Sequence, residues 1–370
     1  MGTKDVLAER SSPSVRKVGE ETMSQPTIAD VAKRAGVALS TVSHTLSGKR
    51  PISAEVKARV LQAIEELGYQ PHTLARALAT KKTRTIALMY PALSSEVAEP
   101  HLDFVSGVLQ ATNDWKYGLL LWTAPDENPK APHLVRPDLV DGSVMMEVRL
   151  DDPRVRQMKE LNAPFTMIGH CAENEGLNFV DLDFDYALHT CVDYLANLGH
   201  KRLAFINNSR DLLELGLGYV VRSENAFHHA IEQHGLEGIS CFCGPNAQAG
   251  YEVTRAILAH DPAPTALIIL NAWVGGGILR AVQDQGLQVP LDISLVGILS
   301  PRAAEMTLPS LTSIDFPYKS MGYRGAELLL RQLEGETLSV QELLQPPLTI
   351  RQSSGPCPSS YALPHENLPH

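Results

Sequence analysis

The chain has 370 residues, 44% hydrophobic, 20% charged and 6% aromatic, enough apolar material for substantial cores and more than one domain. That composition excludes a disordered polymer, a collagen and a disulfide miniprotein. Net charge is −10, which taken whole argues against a nucleic-acid partner. The charge is uneven, however: residues 23–84 hold ten cations against four carboxylates, whereas residues 85–370 hold 18 against 34. A small cationic module joined to a large anionic body follows.

Residues 1–25 carry Lys4, Asp5, Glu9, Arg10, Arg16, Lys17, Glu20 and Glu21 without an apolar run, so no secretory signal is read there. The longest nearly apolar stretch, 265–279, contains Asn271 and three glycines and falls short of the roughly 18 to 20 residues of a membrane span. A cytoplasmic protein is expected. The cysteines are scattered apart from Cys241 and Cys243, and a lone C-x-C reads as buried thiols rather than a metal site.

In chain order, Thr27-Ile-Ala-Asp30 pairs a cap hydroxyl with a carboxylate three residues on, so a first helix starts near Thr27. Gly36, after Lys33 and Arg34, suits a helix end and a tight turn. Residues 39–46 form a second short helix, with Val42 and Leu46 inward and Leu39, Ser40, Ser43 and His44 outward. Ser53 caps a third helix, in which Val56, Val60, Ile64 and Leu67 share a face up to Gly68. Three short helices with this turn make a helix-turn-helix, whose outward polar groups beside cations suit a DNA groove. From Thr85 onward apolar strands (85–90, 118–122, 142–146, 165–169, 203–207, 267–270, 294–299) alternate with amphipathic helices such as 185–198, giving an α/β protein with parallel sheets.

The run 27–37 (Thr-Ile-Ala-Asp-Val-Ala-Lys-Arg-Ala-Gly-Val), the Thr41-Val-Ser-His44 core, and Glu66-Leu-Gly-Tyr-Gln-Pro71 with Ala75-Arg-Ala-Leu78 resemble the lac repressor (LacI/GalR) family of bacterial transcription regulators. The likeness continues through Val140-Asp-Gly142, Leu198-Gly-His-Lys-Arg202, 289–297, 308–314 and Arg351-Gln-Ser-Ser354, covering about 26–355. It implies a disordered extension at 1–25, a helix-turn-helix domain at 26–71, a hinge at 72–84, a ligand-sensing and dimerisation domain at 85–355 and a flexible tail at 356–370. The sensor would have two similar subdomains, a periplasmic-binding-protein-like fold, with crossovers near Asp183, Leu299 and Phe316.

Carried over residue by residue, the resemblance implies DNA contacts by Thr27, Leu39, Ser40, Thr41, Ser43 and His44, and a minor-groove wedge at Leu78. It implies effector contacts by His101, Asp183, Arg222, Asn271, Trp273, Leu299 and Phe316, with Phe104 also in the cleft. The family pattern is broken in places. Ala38 stands where a serine would cap the recognition helix, Ala272 replaces an aspartate beside Asn271, and Leu299-Ser300 replaces an aspartate-containing pair. The spacing from Arg222 to Phe227 is one residue off. For Trp273 a sugar-stacking face and a core tryptophan are both open; for Leu299, a pocket position and one that has left the pocket; for His101, ligand contact and a surface or helix-start role.

The expected function is a homodimeric DNA-binding regulator, repressing a carbohydrate-use operon and released from a palindromic operator by a small sugar-like effector. It needs no cofactor, metal or membrane. The alternative, a transport-type solute-binding protein, calls for an export signal and no helix-turn-helix. A sugar-acting enzyme is the third class, and no catalytic residues are nominated, because neither a Ser-His-Asp order nor paired carboxylates appear. His228, His229 and His234 diverge on their helix, and Gly275-Gly-Gly277 lacks the remainder of a phosphate loop, so close backbone approach is the reading there.

Overall fold

The computed structural model describes residues 26–47, 50–69, 82–90, 98–123 and 139–358. The chain divides into two units, Met1–Thr80 and Lys81–His370. Leu78, most of the hinge, the extension 1–25 and tail residues 359–370 lie outside the described residues.

In the first unit, α1 (Ile28–Ala35), α2 (Leu39–Ser47) and α3 (Ala54–Leu67) surround one small core. The α1 start is a complete capping box. The Asp30 N–H donates to the Thr27 hydroxyl at 3.4 Å and the Thr27 N–H to the Asp30 carboxylate at 2.8 Å, satisfying two otherwise unpaired donors. Gly36 ends the helix at φ 64°, a left-handed conformation that costs glycine nothing. Val31, Ala32, Ala35, Val42, Val60, Ala63 and Tyr69 are buried together, with Leu46, Ile64 and Leu67 packed at the rim. Arg34 of α1 pairs with Glu66 of α3 at the surface.

Among the described residues the second unit holds two six-stranded sheets. The first contains β1 (Thr85–Met89), β2 (Gly118–Trp122), β3 (Gly142–Met145), β4 (Phe165–Ile168), β5 (Phe179–Leu182) and β11 (Gln341–Leu344), in the order β11-β5-β4-β3-β1-β2 and parallel throughout. The second contains β6 (Arg202–Asn207), β7 (Glu237–Phe242), β8 (Ala266–Ile269), β9 (Ser294–Leu299), β10 (Thr312–Asp315) and β12 (Leu348–Thr349), in the order β12-β10-β9-β8-β6-β7, with only β12 antiparallel. Strands β3, β5, β8 and β9 are buried along their whole length, as parallel strands covered on both faces must be.

Helices α4 (Ala98–Asp114) and α12 (Tyr318–Leu333) pack on the first sheet, and α6 (Phe184–Asn197) and α8 (Gly218–His234) pack together on the second. Helix α12 follows β10 of the second sheet yet covers the first, and α6 makes the opposite crossing after β5. The chain therefore crosses near Asp183 and Phe316, as expected. The third crossover does not fall at Leu299. From β9 the chain runs through α11 (Pro301–Glu305) into β10 of the same sheet, and it crosses between β11 and β12, at 345–347. Gln345-Pro-Pro347 stands there, and two prolines cannot continue either ladder.

Helices α9 (Ala247–Leu258) and α10 (Gly275–Asp284) approach unusually closely. A Cβ on Gly277 would lie 1.8 Å from the Ala247 carbonyl oxygen, so the third glycine of the run serves close backbone contact, whereas Gly276 has nothing within 4 Å. Among the described residues no helix is long and apolar enough to cross a membrane, and no group of three or more His, Cys, Asp or Glu is placed to hold a metal.

Candidate functional site

The first unit presents α2. Val42 is fully buried and Leu46 partly so, which turns Leu39, 51% exposed, and Ser40 to solvent. Thr41, Ser43 and His44 are half-buried along the helix flanks. Thr45 donates to the Thr41 carbonyl at 2.8 Å, so its hydroxyl is occupied within the helix. The residue before the helix, Ala38, has no side-chain acceptor; its carbonyl accepts from Thr41 N–H at 2.9 Å. Lys33, Arg34, Arg50, Lys57 and Arg59 are all exposed. An exposed Leu-Ser pair at a helix start, flanked by cations, is suited to entering a major groove while the cations engage phosphates.

In the second unit the carboxyl ends of the two sheets are tied together. The Gly218 N–H donates to the Val148 carbonyl and the Leu150 N–H to the Gly216 carbonyl, both at 2.9 Å, with Arg149 and Leu217 bridged between them. The loop after β3 thereby meets the start of α8, and two groups of side chains collect at this seam, while a third follows β8.

The first group centres on Arg222 of α8, whose guanidinium donates to the His170 carbonyl and, at 3.3 Å, to the Cys171 carbonyl. It lies 3.6 Å from Asp181, which His170 Nδ1 meets at 2.8 Å. The His170 ring stacks on Phe179 at 4.6 Å, so its orientation is held from two sides. Burial pulls the Arg222 pKa below its ordinary value, and the Asp181 charge opposes that shift. Cys171 is pushed up, mainly by burial and secondarily by Asp152.

The second group is aromatic. Phe316 stacks on Tyr318 with centroids 4.2 Å apart, Phe104 meets Tyr318 edge-on at 4.9 Å, and Phe184 bridges Phe316 at 6.2 Å and Tyr219 at 6.4 Å. Burial raises both tyrosine pKa values, with further upward contributions from Glu147 at Tyr219 and Asp103 at Tyr318. Tyr219 and Arg222 are three residues apart, hence on one face of α8, which joins this group to the first.

The third group follows β8. Asn271 is 3% exposed and its side-chain oxygen accepts from the Trp273 N–H at 3.1 Å. Among the described residues its amide nitrogen and the Trp273 Nε1 are buried without a hydrogen-bond partner, and Arg222 Nη1, also without one, faces Asp181 at 3.6 Å. At the end of β6, the neighbour of β8, Asn207 donates to the Val220 carbonyl at 3.2 Å and to Glu224 at 3.0 Å, so β6 anchors the α8 turn that carries Arg222.

The remaining sequence-derived positions are placed as follows. Asp183 caps α6, accepting from Tyr186 N–H at 3.0 Å, and takes a hydrogen bond from Gln345 at 2.7 Å, which joins the first and third crossovers. Leu299, 2% exposed, packs with Ile206, Val274 and Ala304 in the second lobe's core. His101 falls near the start of α4, but its side chain lies outside the described groups. Sequence reasoning missed His170, Asp181, Phe184, Tyr219 and Tyr318. The available signal was position: His170 comes directly after β4 and Gly169, at the strand end where doubly wound folds build sites.

Comparison with known proteins follows this division. Residues 27–72 match the family of bacterial regulatory proteins, lacI family, and residues 192–354 match the periplasmic binding protein-like domain. Catabolite control protein A of Priestia megaterium is 27% identical over 336 residues, covering 89% of this chain and 99% of that protein. The ribose operon repressor of Escherichia coli (strain K12) is 29% identical over 337 residues, with 89% and 99% covered. Among solved structures, the transcriptional regulator CelR–cellobiose complex matches at TM-score 0.66 and 26% identity, over 89% of this chain and all of that one. The lac repressor dimer bound to operator and the anti-inducer ONPF matches at TM-score 0.78 and 22% identity, over 89% and 99%, a likeness of fold.

Proposed function

The chain belongs to the lacI family of bacterial regulatory proteins, and from that membership we propose that it represses a carbohydrate-use operon as a homodimer, leaving a palindromic operator when a small sugar-like effector binds. The observation that carries this reading is the pairing, in one chain, of an exposed Leu39-Ser40 helix start with a seam where the Arg222 guanidinium meets Asp181 and the His170 and Cys171 carbonyls. The first feature reads bases, with Ser43 and His44 alongside and Thr27 and Thr41 near the backbone. Leu78 of the hinge wedges into the minor groove. The second feature takes the effector, with Phe316 and Trp273 offering aromatic faces, Arg222 and Asn271 orienting it, and Asp183 holding the crossover. No catalytic role is assigned, and the site of action is the cytoplasm, where the operator is. A transport-type solute-binding protein shares the two-lobed fold but has no use for the DNA-binding domain.

The test is fluorescence anisotropy of labelled DNA from upstream of the protein's own gene, followed by a screen of mono- and disaccharides for release. Binding should outcompete random DNA and weaken steeply with salt, since phosphate neutralisation releases counterions. Equal affinity for random DNA at all salt concentrations would refute operator recognition.

A further inference from the structure

Val140-Asp-Gly142, one of the stretches that carry the family resemblance, belongs to neither site described above. It lies where the chain enters the second unit. The Asp141 carboxylate accepts from the Thr83 N–H at 2.6 Å and the Thr83 hydroxyl at 2.9 Å on one oxygen, and from the Arg84 N–H at 2.9 Å on the other. Two consecutive backbone donors on one carboxylate fix the path of the chain, and hydrogen bonds to an ionised acceptor are about twice as strong as neutral ones. Arg84 takes a left-handed φ of 51°, which a residue other than glycine holds only where its surroundings impose it.

The start of β1 is secured without this carboxylate. The Asp141 N–H donates to the Thr85 carbonyl at 2.8 Å and the Gly118 N–H to the Arg84 carbonyl at 2.7 Å, so backbone bonds already tie β1 to the strands on either side. The side-chain bonds fall on residues 83 and 84, ahead of the strand. A second grip comes from the end of α12. Glu334, just past that helix, lies 3.7 Å from Arg84 and 4.0 Å from Lys82 and accepts from the Tyr117 hydroxyl at 3.1 Å, while Lys82 donates to the Leu333 carbonyl at 3.1 Å. A carboxylate is unfavourable at the negative end of a helix, and the cations of residues 82 and 84 offset that here.

Both gripping elements also reach the seam between the lobes. Strand β3 starts beside Asp141, and its far end leads into the Val148 carbonyl that accepts from Gly218. Helix α12 starts at Tyr318 of the aromatic group and ends at Leu333, about 24 Å away at 1.5 Å per residue. We propose that Asp141 and Glu334 are positioning residues for operator recognition, fixing the direction in which the hinge leaves the sensor so that two headpieces meet two half-sites in register. This rests on the operator reading above and extends it to residues with no place in the DNA-binding surface or the effector site.

The experiment compares fluorescence anisotropy of labelled upstream DNA and of a random duplex of equal length, using the full-length protein. Phosphate contacts by a headpiece do not depend on its register with a second one, so Asp141→Ala should cut operator affinity about tenfold or more and leave random-DNA affinity within about twofold. Asp141→Asn, which keeps one acceptor oxygen, should recover part of the loss. Thr83→Val and Glu334→Gln leave β3 untouched and should keep the wild-type melting temperature while each lowers operator affinity several-fold, Glu334→Gln the less because exposed ion pairs are weak. These two decide if Asp141→Ala does not fold. An unchanged ratio of operator to random affinity in folded Asp141→Ala, or in both milder variants, would overturn the proposal and leave operator recognition standing. So would an equal loss on both DNAs, the mark of a merely structural role. A wild type with no preference for its upstream DNA would sink operator recognition and the positioning role with it.

Discussion

The guanidinium of Arg222, in the lobe built on the second sheet, donates to the backbone carbonyl of His170 in the lobe built on the first. The same group reaches Cys171 O at 3.3 Å and faces Asp181 at 3.6 Å, so one side chain ties three points of the opposite lobe. Removing it strips a donor from two carbonyls and leaves the buried Asp181 with His170 and the Leu182 N–H but no guanidinium. Breaking a buried pair costs about 3–5 kcal/mol, and solvent access at this partly exposed side chain moves the expectation to about 2–4 kcal/mol. Urea unfolding of Arg222→Ala should show that loss, and Arg222→Lys should recover part of it. A variant within 0.5 kcal/mol of wild type would mean that the contacts do not hold the lobes.

Base reading is predicted to sit at the start of α2. Leu39 and Ser40 are exposed while Val42 seals the helix to its core, so exchanging the two residues leaves packing untouched. Selection from a randomised DNA pool should return a different half-site for the swapped protein. The same ranking with uniformly lower affinity would make them positioning contacts.

Ala38 offers a gain of stability. Its carbonyl closes the first turn of α2 at 2.9 Å to Thr41 N–H, but a methyl group cannot accept from the next N–H groups. Ala38→Ser supplies that acceptor and should stabilise the first unit by about 0.5–2 kcal/mol, whereas Thr27→Ala should cost a similar amount by dismantling the capping box. Thermal unfolding monitored in the first unit decides, and an unchanged Ala38→Ser midpoint would refute the missing cap.

The three headpiece helices and seven of the strands were readable because each shows its own periodicity or a continuous apolar run. The strands that were not readable are polar or short. Phe179–Leu182 contains Asp181, Thr312–Asp315 is half hydroxylic, and Gln341–Leu344 lies at a sheet edge with alternating exposure. The resemblance put a crossover at Leu299, and without β10 and β11 read as strands no pattern in the sequence moved it to 345–347. Leu299 itself illustrates a second limit. Val296 and Ile298 join one core and Leu295 and Leu299 another, and a strand buried on both faces carries no pattern to tell which face meets a cleft. The Arg222 contacts were unreadable for a different reason: their acceptors are backbone carbonyls some fifty residues away, which no side-chain identity announces.

His200, within a stretch that matched the family, is structural here. It is 1% exposed and bonds Thr265 at 2.9 Å, Ser294 at 3.1 Å and the Gly355 carbonyl at 3.1 Å. Burial lowers its pKa below 6.5, against the Gly355 hydrogen bond that raises it. The folded state therefore binds fewer protons than the unfolded one, so this contribution to stability is complete above pH 6.5 and is lost as pH falls below it. Melting temperatures between pH 7.5 and 5 should decline in the wild type, and more shallowly in His200→Asn. Identical slopes would remove His200 as a source of the acid sensitivity.

Self-association is predicted to use the outer face of α10. Met306 and Leu308 are 69% and 88% exposed, and with Gly276, Leu279, Arg280, Gln283 and Asp284 they line a groove of about 730 Å³. Large side chains left this bare on a rim of polar residues mark a protein interface. A palindromic operator requires two headpieces held together, because each reads one half-site. The double variant Met306→Glu with Leu308→Glu places two carboxylates in that face without touching either core. Sedimentation equilibrium should then find a monomer. Operator affinity should fall by about 10²–10⁴-fold as the second half-site loses its tethered partner, while effector titration is preserved. A variant that still sediments as a dimer would place the interface elsewhere, the exposed leucines Leu109 of α4 and Leu120 and Leu121 of β2 being the next surface to charge.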